Sequence, residues 1–369
     1  MRTESSSGSS APVITAVGVV SSVGRSAATT CAAIRAGITR PSEISEYQFL
    51  DDDSLEKISL TGHRIAGYTD GFTLAGAWIR LARGCLVDMC ESHGLPQATD
   101  TAFWQQTALL AVTTHPNNPR FEDESGDGVD GLLDAFLDPL LTAIPLPINR
   151  RLSQIVPVGH AGTAAALKAA TELLAQDRCE RVIVLAVDSL LDPLTLDWLL
   201  GDGRLKHDDN PVGLMPGECS ACFLVERHRH ARSRNAPVHA AVTAVATRKD
   251  SKQSYSERHD SGRALGACMR EALSEARGQF FGDVFSDING EDWRAQEWAM
   301  AVLELGAELG TIRLQAPAIS VGDVGAASGA LGVCAAIHWF SRGTSLSDRA
   351  LVVSTSEWGD VGAIVLAAP

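Results

Sequence analysis

Two cysteines three residues apart are the first side chains in this sequence whose spacing could support metal or redox chemistry. A Cys-x-x-Cys pair such as Cys219 and Cys222 can supply half of a zinc site or cycle between thiols and a disulfide. A structural zinc site needs a second pair of ligands, and no second Cys-x-x-Cys stretch occurs in the sequence. Because the pair falls where a strand is expected, we interpret both residues as small buried side chains. We therefore expect neither a metal site nor a bound cofactor.

Three further stretches could carry chemistry, and each also has a simple structural explanation. Residues 227–232 form a short basic cluster, which is more typical of a solvated strand end than of a ligand site. Residues 322–332 are rich in glycine and alanine but lack the downstream acidic residue of a dinucleotide-binding turn, so they indicate tight helix packing. Residues 117–131 are acidic and contain glycine, which favours an exposed loop.

The composition narrows the class of protein. The chain has 369 residues with a formal net charge of −14, and a nucleic-acid binder should instead present a basic face. No apolar run approaches the length that spans a bilayer, so we expect no membrane span. Residues 1–11 are rich in serine and glycine and predict a flexible tail. The eight cysteines show no framework spacing, which predicts reduced thiols and a cytoplasmic protein.

Strands and helices alternate along the chain, and this order must position any site. The predicted strands are residues 11–20, 107–113, 154–158, 181–187, 221–226, 239–246, 318–321, 349–354 and 361–367, with 221–226 paired to 239–246. The predicted helices are residues 27–36, 72–94, 161–176, 262–276, part of 287–308, and 326–340. Such alternation predicts an α/β fold. The order occurs about twice, so we divide the chain into similar halves at residues 12–236 and 237–369.

Four stretches resemble the thiolase-like superfamily, and most closely the β-ketoacyl synthases. They are residues 13–24 (VITAVGVVSSVG), 158–167 (VGHAGTAAAL), 214–226 (LMPGECSACFLVE) and 322–330 (GDVGAASGA). Their order and spacing resemble the family over almost the whole chain. The resemblance implies a five-layered αβαβα fold made of two fused similar halves, which usually forms a two-fold dimer.

The catalytic residues of that family are replaced at the matching positions. The family carries a Cys at a helix start, six and seven residues before Ala-Leu, and here Ala166 and Leu167 place His160 there. The first family histidine matches Glu291, in the stretch INGEDW. The second follows a glycine, and its match is Asp323. The resemblance thus implies that Cys-His-His has become His-Glu-Asp at a degenerate site.

Four residues beside these positions should line the same pocket, namely Gly159, Trp293, Gly322 and Trp358. The tryptophans, together with Trp298, could fill a former acyl pocket or simply belong to the core. Both interpretations remain open from the sequence.

The replacements disfavour the family's condensation reaction. A ketosynthase stores its acyl group on a thiolate, and a helix N-terminus lowers the pKa of a Cys placed there. A His at that position should be mostly neutral, because the helix dipole disfavours imidazolium. Carboxylates at the two histidine positions would oppose developing enolate charge. At ~4 Å and an effective dielectric of ~20 the repulsion is about 4 kcal/mol, or roughly a thousandfold in rate.

Three functional interpretations follow. The chain could be a non-catalytic scaffold, adaptor or partner subunit, as a homodimer or with a ketosynthase, an acyl carrier protein or a secreted effector of a type VI system. It could be a repurposed enzyme in which His160, Glu291 and Asp323 hydrolyse a thioester or bind a metal. It could also bind an acyl group or a phosphopantetheine group without turnover. We favour the non-catalytic interpretation, because the three residues also make sense as polar groups that satisfy one another in a buried site.

Overall fold

The computed structural model describes residues 11–47, 49–50, 56–121, 128–250, 262–274 and 279–369 of the chain. Almost all of the predicted N-terminal tail lies outside these residues. So do residues 122–127 of the predicted acidic loop and the last two residues of the predicted helix 262–276.

Strands and helices alternate in the structure as the sequence predicts. The strands are β1 (Pro12–Ser21), β2 (Ser42–Glu43), β3 (Phe49–Leu50), β4 (Lys57–Ile58), β5 (Thr61–Gly62), β6 (Thr107–Val112), β7 (Gln154–Val156), β8 (Arg181–Ser189), β9 (Glu218–Arg227), β10 (Ala240–Lys249), β11 (Phe280–Ser286), β12 (Leu309–Gln315), β13 (Arg349–Thr355) and β14 (Asp360–Ala367). The helices are α1 (Ala27–Arg35), α2 (Leu74–Ser92), α3 (Thr101–Gln105), α4 (Gly128–Leu132), α5 (Asp138–Ala143), α6 (Gly162–Ala175), α7 (Pro193–Gly201), α8 (His228–Ser233), α9 (Arg263–Ser274), α10 (Asp292–Leu305), α11 (Ala318–Val321) and α12 (Ser328–Ser341).

Ten strands follow one another in the order β12-β11-β13-β14-β10-β1-β9-β8-β6-β7. The order contains two sets of five with the same pattern. In the first set β6 runs parallel to β7 and β8, and β9 is antiparallel to β8 and β1. In the second set β11 runs parallel to β12 and β13, and β14 is antiparallel to β13 and β10. The sets meet where Val13 and Ile14 pair with Ala241 and Ala240.

Helices cover both faces of each five-stranded set, which gives the layer order α, β, α, β, α. Helices α6 and α12 form the middle layer, and their apolar side chains share one core with strands of both sets. Helix α2 covers the outer face of the first set, and α9 covers that of the second. Strand β8 (RVIVLAVDS) is buried along its whole length, as an apolar run covered on both faces should be.

Two predictions about the strands are wrong. Residues 318–321 form the short helix α11, because Pro317 before it has a φ of −55° in the helical region and starts a turn. The strands predicted over 221–226 and 239–246 exist as β9 and β10, but they do not pair with each other. Strand β1 lies between them and pairs with both, so α8 forms part of a connection across β1 rather than a hairpin.

The sequence prediction also missed two strands of the second set. Strand β11 lies just before the predicted turn and helix, and β12 follows that helix. Strand β12 is the edge of the sheet and is largely exposed, so its sequence LGTIRLQ lacks the apolar run of a central strand. Among the described residues, no helix is long and apolar enough to cross a membrane.

Candidate functional site

A sharp turn between β7 and α6 places His160 in the interior. Gly159 has a φ of +66°, a left-handed conformation that favours glycine. A Cβ at this position would lie 3.2 Å from Ser356 Oγ. His160 follows in a short 3₁₀ turn before α6, and only 3% of it is exposed. The same turn precedes α12, where Gly325 has a φ of +52°.

The His160 ring lies between two carboxylates and a guanidinium. Its Nε2 is 2.9 Å from Asp323 Oδ1, and its Nδ1 is 3.6 Å from Glu357 Oε2. Arg294 Nη2 lies 3.3 Å from the same Nε2. His160 and Asp323 therefore meet although 163 residues separate them.

Glu291 lies in the same cluster, one hydrogen-bonded step away from Asp323. Arg204 binds Glu291 with two parallel hydrogen bonds, from Nε at 2.7 Å and from Nη2 at 3.0 Å. Asn289 Nδ2 donates to Glu291 Oε2 at 2.9 Å and to Asp323 Oδ2 at 2.6 Å. The structure thus brings together the three residues that the resemblance singled out, with Asn289 as the bridge.

The two arginines tie the cluster to its remaining carboxylates. Arg294 Nη1 donates to Asp287 Oδ2 at 2.9 Å and to the Thr355 carbonyl at 2.7 Å. Arg204 Nη2 donates to Glu357 Oε1 at 3.3 Å. Asp287, Glu291, Asp323 and Glu357 are therefore held by two guanidinium groups and one imidazole. A buried carboxylate that is paired and hydrogen-bonded in this way stays ionised.

Electrostatics make His160 a cation. Burial and the neighbouring Arg294 lower its pKa, but Asp323 and Glu357 outweigh them and raise the pKa to about 10. The expectation that the helix N-terminus keeps this imidazole neutral is therefore wrong, because two adjacent carboxylates act more strongly than a helix dipole.

The pKa values of the carboxylates shift in the opposite direction, to below their usual range. Burial alone would raise the pKa of Asp323, but His160 and Arg294 hold it well below its usual range. Burial likewise opposes a low pKa at Glu357, where His160 and the two arginines prevail. At Glu291 burial is outweighed chiefly by Arg204, so its pKa is also lowered. All three are ionised near neutral pH.

The space beside His160 is almost completely filled by side chains. The cavity there has a volume of about 10 Å³, roughly the least that holds one water molecule. Trp198, Leu199 and Leu214 line it together with Arg204. The Arg204 guanidinium lies over the Trp198 ring at 5.3 Å from the centroid. An acyl thioester has no room in this cavity.

The four predicted pocket residues occupy different surroundings. Gly159 lines the small cavity, whereas Trp293, Gly322 and Trp358 are not among its lining residues. The Trp293 ring lies under the Arg294 guanidinium, 4.3 Å from it. Trp358 stacks on His115 with ring centroids 4.6 Å apart. Gly322 has a φ of +73°, and its N–H donates to the Ala318 carbonyl at the end of α11.

Several residues of the cluster did not emerge from the sequence. They are Asn289, Arg294, Glu357, Arg204 and Trp198. Asn289 and Arg294 flank Glu291 closely, and Glu357 directly precedes the predicted pocket residue Trp358, so a search for polar side chains beside the candidate residues could have found them. Trp198 lies on α7 and Arg204 follows it, and the sequence did not predict this helix.

Among the described residues, the cysteine pair and the basic cluster form no site. Cys219 belongs to the core between the sheets and Cys222 to the outer core, so the two thiols lie on opposite faces of β9. Arg227 and Arg229 both pair with Asp177, at 2.9 and 2.6 Å. Within the described ranges, no group of three or more His, Cys, Asp or Glu side chains is arranged to hold a metal ion.

The chain is similar to known proteins in its fold rather than in its sequence. The sequence matches no protein-family model and no curated protein. Among solved structures, one of a type II polyketide acyl-carrier protein in complex with its ketosynthase aligns over 97% of this chain and 99% of the matched chain, with a TM-score of 0.76 and 15% identity. A β-ketoacyl synthase from Burkholderia phymatum aligns over 98% and 100%, with a TM-score of 0.71 and 14% identity.

A third structure, the ishigamide ketosynthase/chain length factor, aligns over 97% of this chain and 99% of the matched chain, with a TM-score of 0.69 and 22% identity. At these identities the likeness concerns the fold. The chain has the thiolase-like five-layered fold of the ketosynthases, and the fold prediction made from the sequence is confirmed.

Proposed function

We propose that this chain is a catalytically silent protein of ketosynthase fold that acts as a scaffold or as the partner subunit of an active ketosynthase. One observation carries the proposal. At the turn where the resemblance places the nucleophile, His160 is a buried imidazolium held between Asp323 and Glu357 beside a cavity of about 10 Å³.

The chemistry of condensation argues against activity at this position. An imidazolium has no free lone pair, so it can neither attack a thioester nor accept a proton. Asp323 and Glu291 are anionic where enolate charge would develop, and each such repulsion is worth about 4 kcal/mol by the same Coulomb argument. Arg204 and Arg294 offset part of this repulsion, but both are hydrogen-bonded within the cluster and are not available to bind an enolate.

The partner is inferred from the fold neighbours. One of the aligned structures is a ketosynthase/chain length factor, and another is an acyl-carrier protein in complex with its ketosynthase. Both align over nearly the whole of this chain, which supports a similar assembly. Strand β7 is an edge of the sheet and offers an open side for a second subunit. We propose a two-fold dimer across this edge, formed with a second copy or with a ketosynthase.

We also propose that residues 12–236 and 237–369 are the two halves of a duplication. Their five-stranded sets share one pattern of parallel and antiparallel pairs. The turns before α6 and α12 share a Val-Gly sequence, at Val158 and Val324, in which the valine has a φ near −115° and the glycine is left-handed.

The catalytic half of the proposal is tested with purified protein, acyl and malonyl thioesters on coenzyme A, and the same groups on a carrier protein. Mass spectrometry measures chain-extended product, and a thiol reagent measures hydrolysis. We expect neither. The matched control is His160→Ala. Chain-extended product from the wild type contradicts catalytic silence, and hydrolysis that His160→Ala abolishes supports the repurposed-enzyme interpretation instead.

The proposed partner role is tested by native mass spectrometry of the chain mixed with ketosynthases, and separately with acyl-carrier proteins, from the same organism. A one-to-one complex supports the partner subunit. If the chain forms no complex with a ketosynthase or with a carrier protein, the partner-subunit role is contradicted and a self-contained scaffold is favoured.

A further inference from the structure

A second cavity lies apart from the His160 cluster, and we call it the acidic recess. It has a volume of about 220 Å³. It lies between the segment that precedes α2, the C-terminal end of β8 and the N-terminal end of β9. Its charged lining residues are Glu46, Arg64, Asp70, Asp192 and Glu218. Four carboxylates thus face one guanidinium, and none of these residues lines the cavity beside His160.

Glu218 is the buried end of the acidic recess, with 1% of the residue exposed. Its Oε1 accepts hydrogen bonds from the Ile65 N–H at 2.6 Å and from Thr69 Oγ1 at 2.7 Å. Its Oε2 has only a long contact of 3.4 Å from Ser189 Oγ. In the part of the chain that the structure describes, no cationic side chain forms an ion pair with Glu218.

The other carboxylates of the recess have polar partners. Arg64 forms ion pairs with Asp70 at 2.9 Å and with Glu46, both at the exposed rim. Asp192 caps α7 by accepting from the Thr195 N–H at 3.0 Å. Glu218 and Asp192 are therefore the buried carboxylates of the recess that form no ion pair among the described residues. Burial raises the pKa of the Glu218 carboxyl, and the hydrogen bonds to it and the charge of Arg64 oppose this rise only in part.

The arrangement of polar atoms fits a primary ammonium. Such a group has three N–H donors. The buried end presents Glu218 Oε2 and the hydroxyl oxygens of Ser189 and Thr69, which donate their own protons to the carboxylate and keep lone pairs free. A cation here would neutralise a buried charge that is otherwise costly.

The walls of the recess fit a short apolar stem. The apolar residues that line it include Ile44, Ala77, Leu191 and Phe72. The volume is below the roughly 300–1,000 Å³ typical of sites for drug-sized ligands. It suits a cation on a stem of a few carbons, the shape of an alkylamine or of a lysine side chain.

We propose that the acidic recess binds an alkylammonium cation, with the ammonium on Glu218, Ser189 and Thr69 and the stem against Ile44 and Leu191. The cation could belong to a free amine or to a lysine of a protein partner. This inference goes beyond the proposed function and does not depend on whether His160 is catalytic.

The test is a saturation-transfer NMR titration of the intact chain with n-butylammonium, with n-butanol as the neutral counterpart of the same shape. We expect saturable binding of the cation only. Glu218→Gln and the near-isosteric Thr69→Val should each weaken it, the former at least about tenfold, which corresponds to ~1.4 kcal/mol. The matched control is Glu271→Gln. Glu271 is an exposed glutamate on α9 that forms an ion pair with Arg248. It should leave binding unchanged.

A second arm separates the two sources of the cation. N-acetyl-lysine methylamide carries the same ammonium on a stem that ends in backbone. Binding of both probes supports a lysine side chain, and binding of n-butylammonium alone supports a free amine. The proposal is overturned if n-butylammonium binds no better than n-butanol, or if both Thr69→Val and Glu218→Gln bind it like the wild type. If Glu218→Gln does not fold by circular dichroism, Thr69→Val decides.

Discussion

His160 Nε2 and Asp323 Oδ1 lie 2.9 Å apart, at the first turns that lead into the two middle-layer helices α6 and α12. The contact joins the two five-stranded sets of the sheet. Arg204 with Glu291 forms a second such link. The position that the family resemblance assigns to chemistry is thus occupied by an ionic cluster that connects the first half of the chain to the second.

The charge on His160 should make stability depend on pH. Its pKa rises from an ordinary value near 6.5 to about 10 in the folded chain, so the stabilisation is fully present below about pH 6.5 and is lost as the pH rises through about 10. His160→Gln should lower the free energy of unfolding by about 3–5 kcal/mol at pH 6.5, because it leaves buried carboxylates without their cation. The difference from the wild type should shrink towards pH 10.

Urea denaturation of both proteins at pH 6.5 and pH 9.5 measures this difference. The control is His228→Gln, at an exposed position on α8. This substitution should leave the free energy of unfolding nearly unchanged at both pH values. A difference that is equal at pH 6.5 and 9.5 would show that His160 is not a cation in the folded protein.

The pair of Arg204 and Glu291 should couple strongly in a double-mutant cycle. Arg204→Met and Glu291→Gln each leave a buried charge without its two-hydrogen-bond partner, so each should lower the free energy of unfolding by about 3–5 kcal/mol. The double variant should lose much less than the sum of the two. Chemical denaturation measures the three values. Additive losses would contradict a direct buried ion pair.

Closure of the site should keep a cysteine at position 160 unreactive. The helix start alone predicts a low pKa and fast alkylation of His160→Cys, but the space beside His160 has a volume of only about 10 Å³ and leaves little room for a reagent. We therefore expect iodoacetamide to modify His160→Cys no faster than the native half-buried Cys90, whose pKa burial raises to about 12.

Adding Trp198→Ala should open the cavity and speed that reaction, with Trp198→Ala alone as the control for native thiols. Peptide mass spectrometry locates the modified cysteine. Rapid alkylation of the single variant His160→Cys would show that the site is open in solution.

The chain should form a dimer when it is purified alone at micromolar concentration. Its mass is 39.0 kDa, so a pair of copies has a mass of 2 × 39.0 = 78 kDa. The physical reason is the open edge at β7, where a second copy can continue the sheet. Analytical ultracentrifugation measures the mass. A single species near 39 kDa would contradict the homodimer and leave the interface for a different partner.

Much of the fold could be predicted from local patterns in the sequence. Buried strands such as β8 show as apolar runs, and the left-handed turn at Gly159 shows as a glycine before a small-residue helix. Where a strand is exposed, as in β12, or where a helix begins at a proline, as in α11, the local pattern was ambiguous and the prediction failed. Pairing of β1 with both β9 and β10 is a long-range choice that no local pattern encodes.

For the site, the sequence determined which residue types stand at His160, Glu291 and Asp323, and hence that no thiolate is available there. Their protonation states were decided only by the tertiary structure. A pKa depends on charges within a few ångströms, and Glu357, Arg294 and Arg204 reach the cluster from elements far apart in the chain. The closed cavity has the same origin, because Trp198 and Leu214 meet His160 only when the chain is folded.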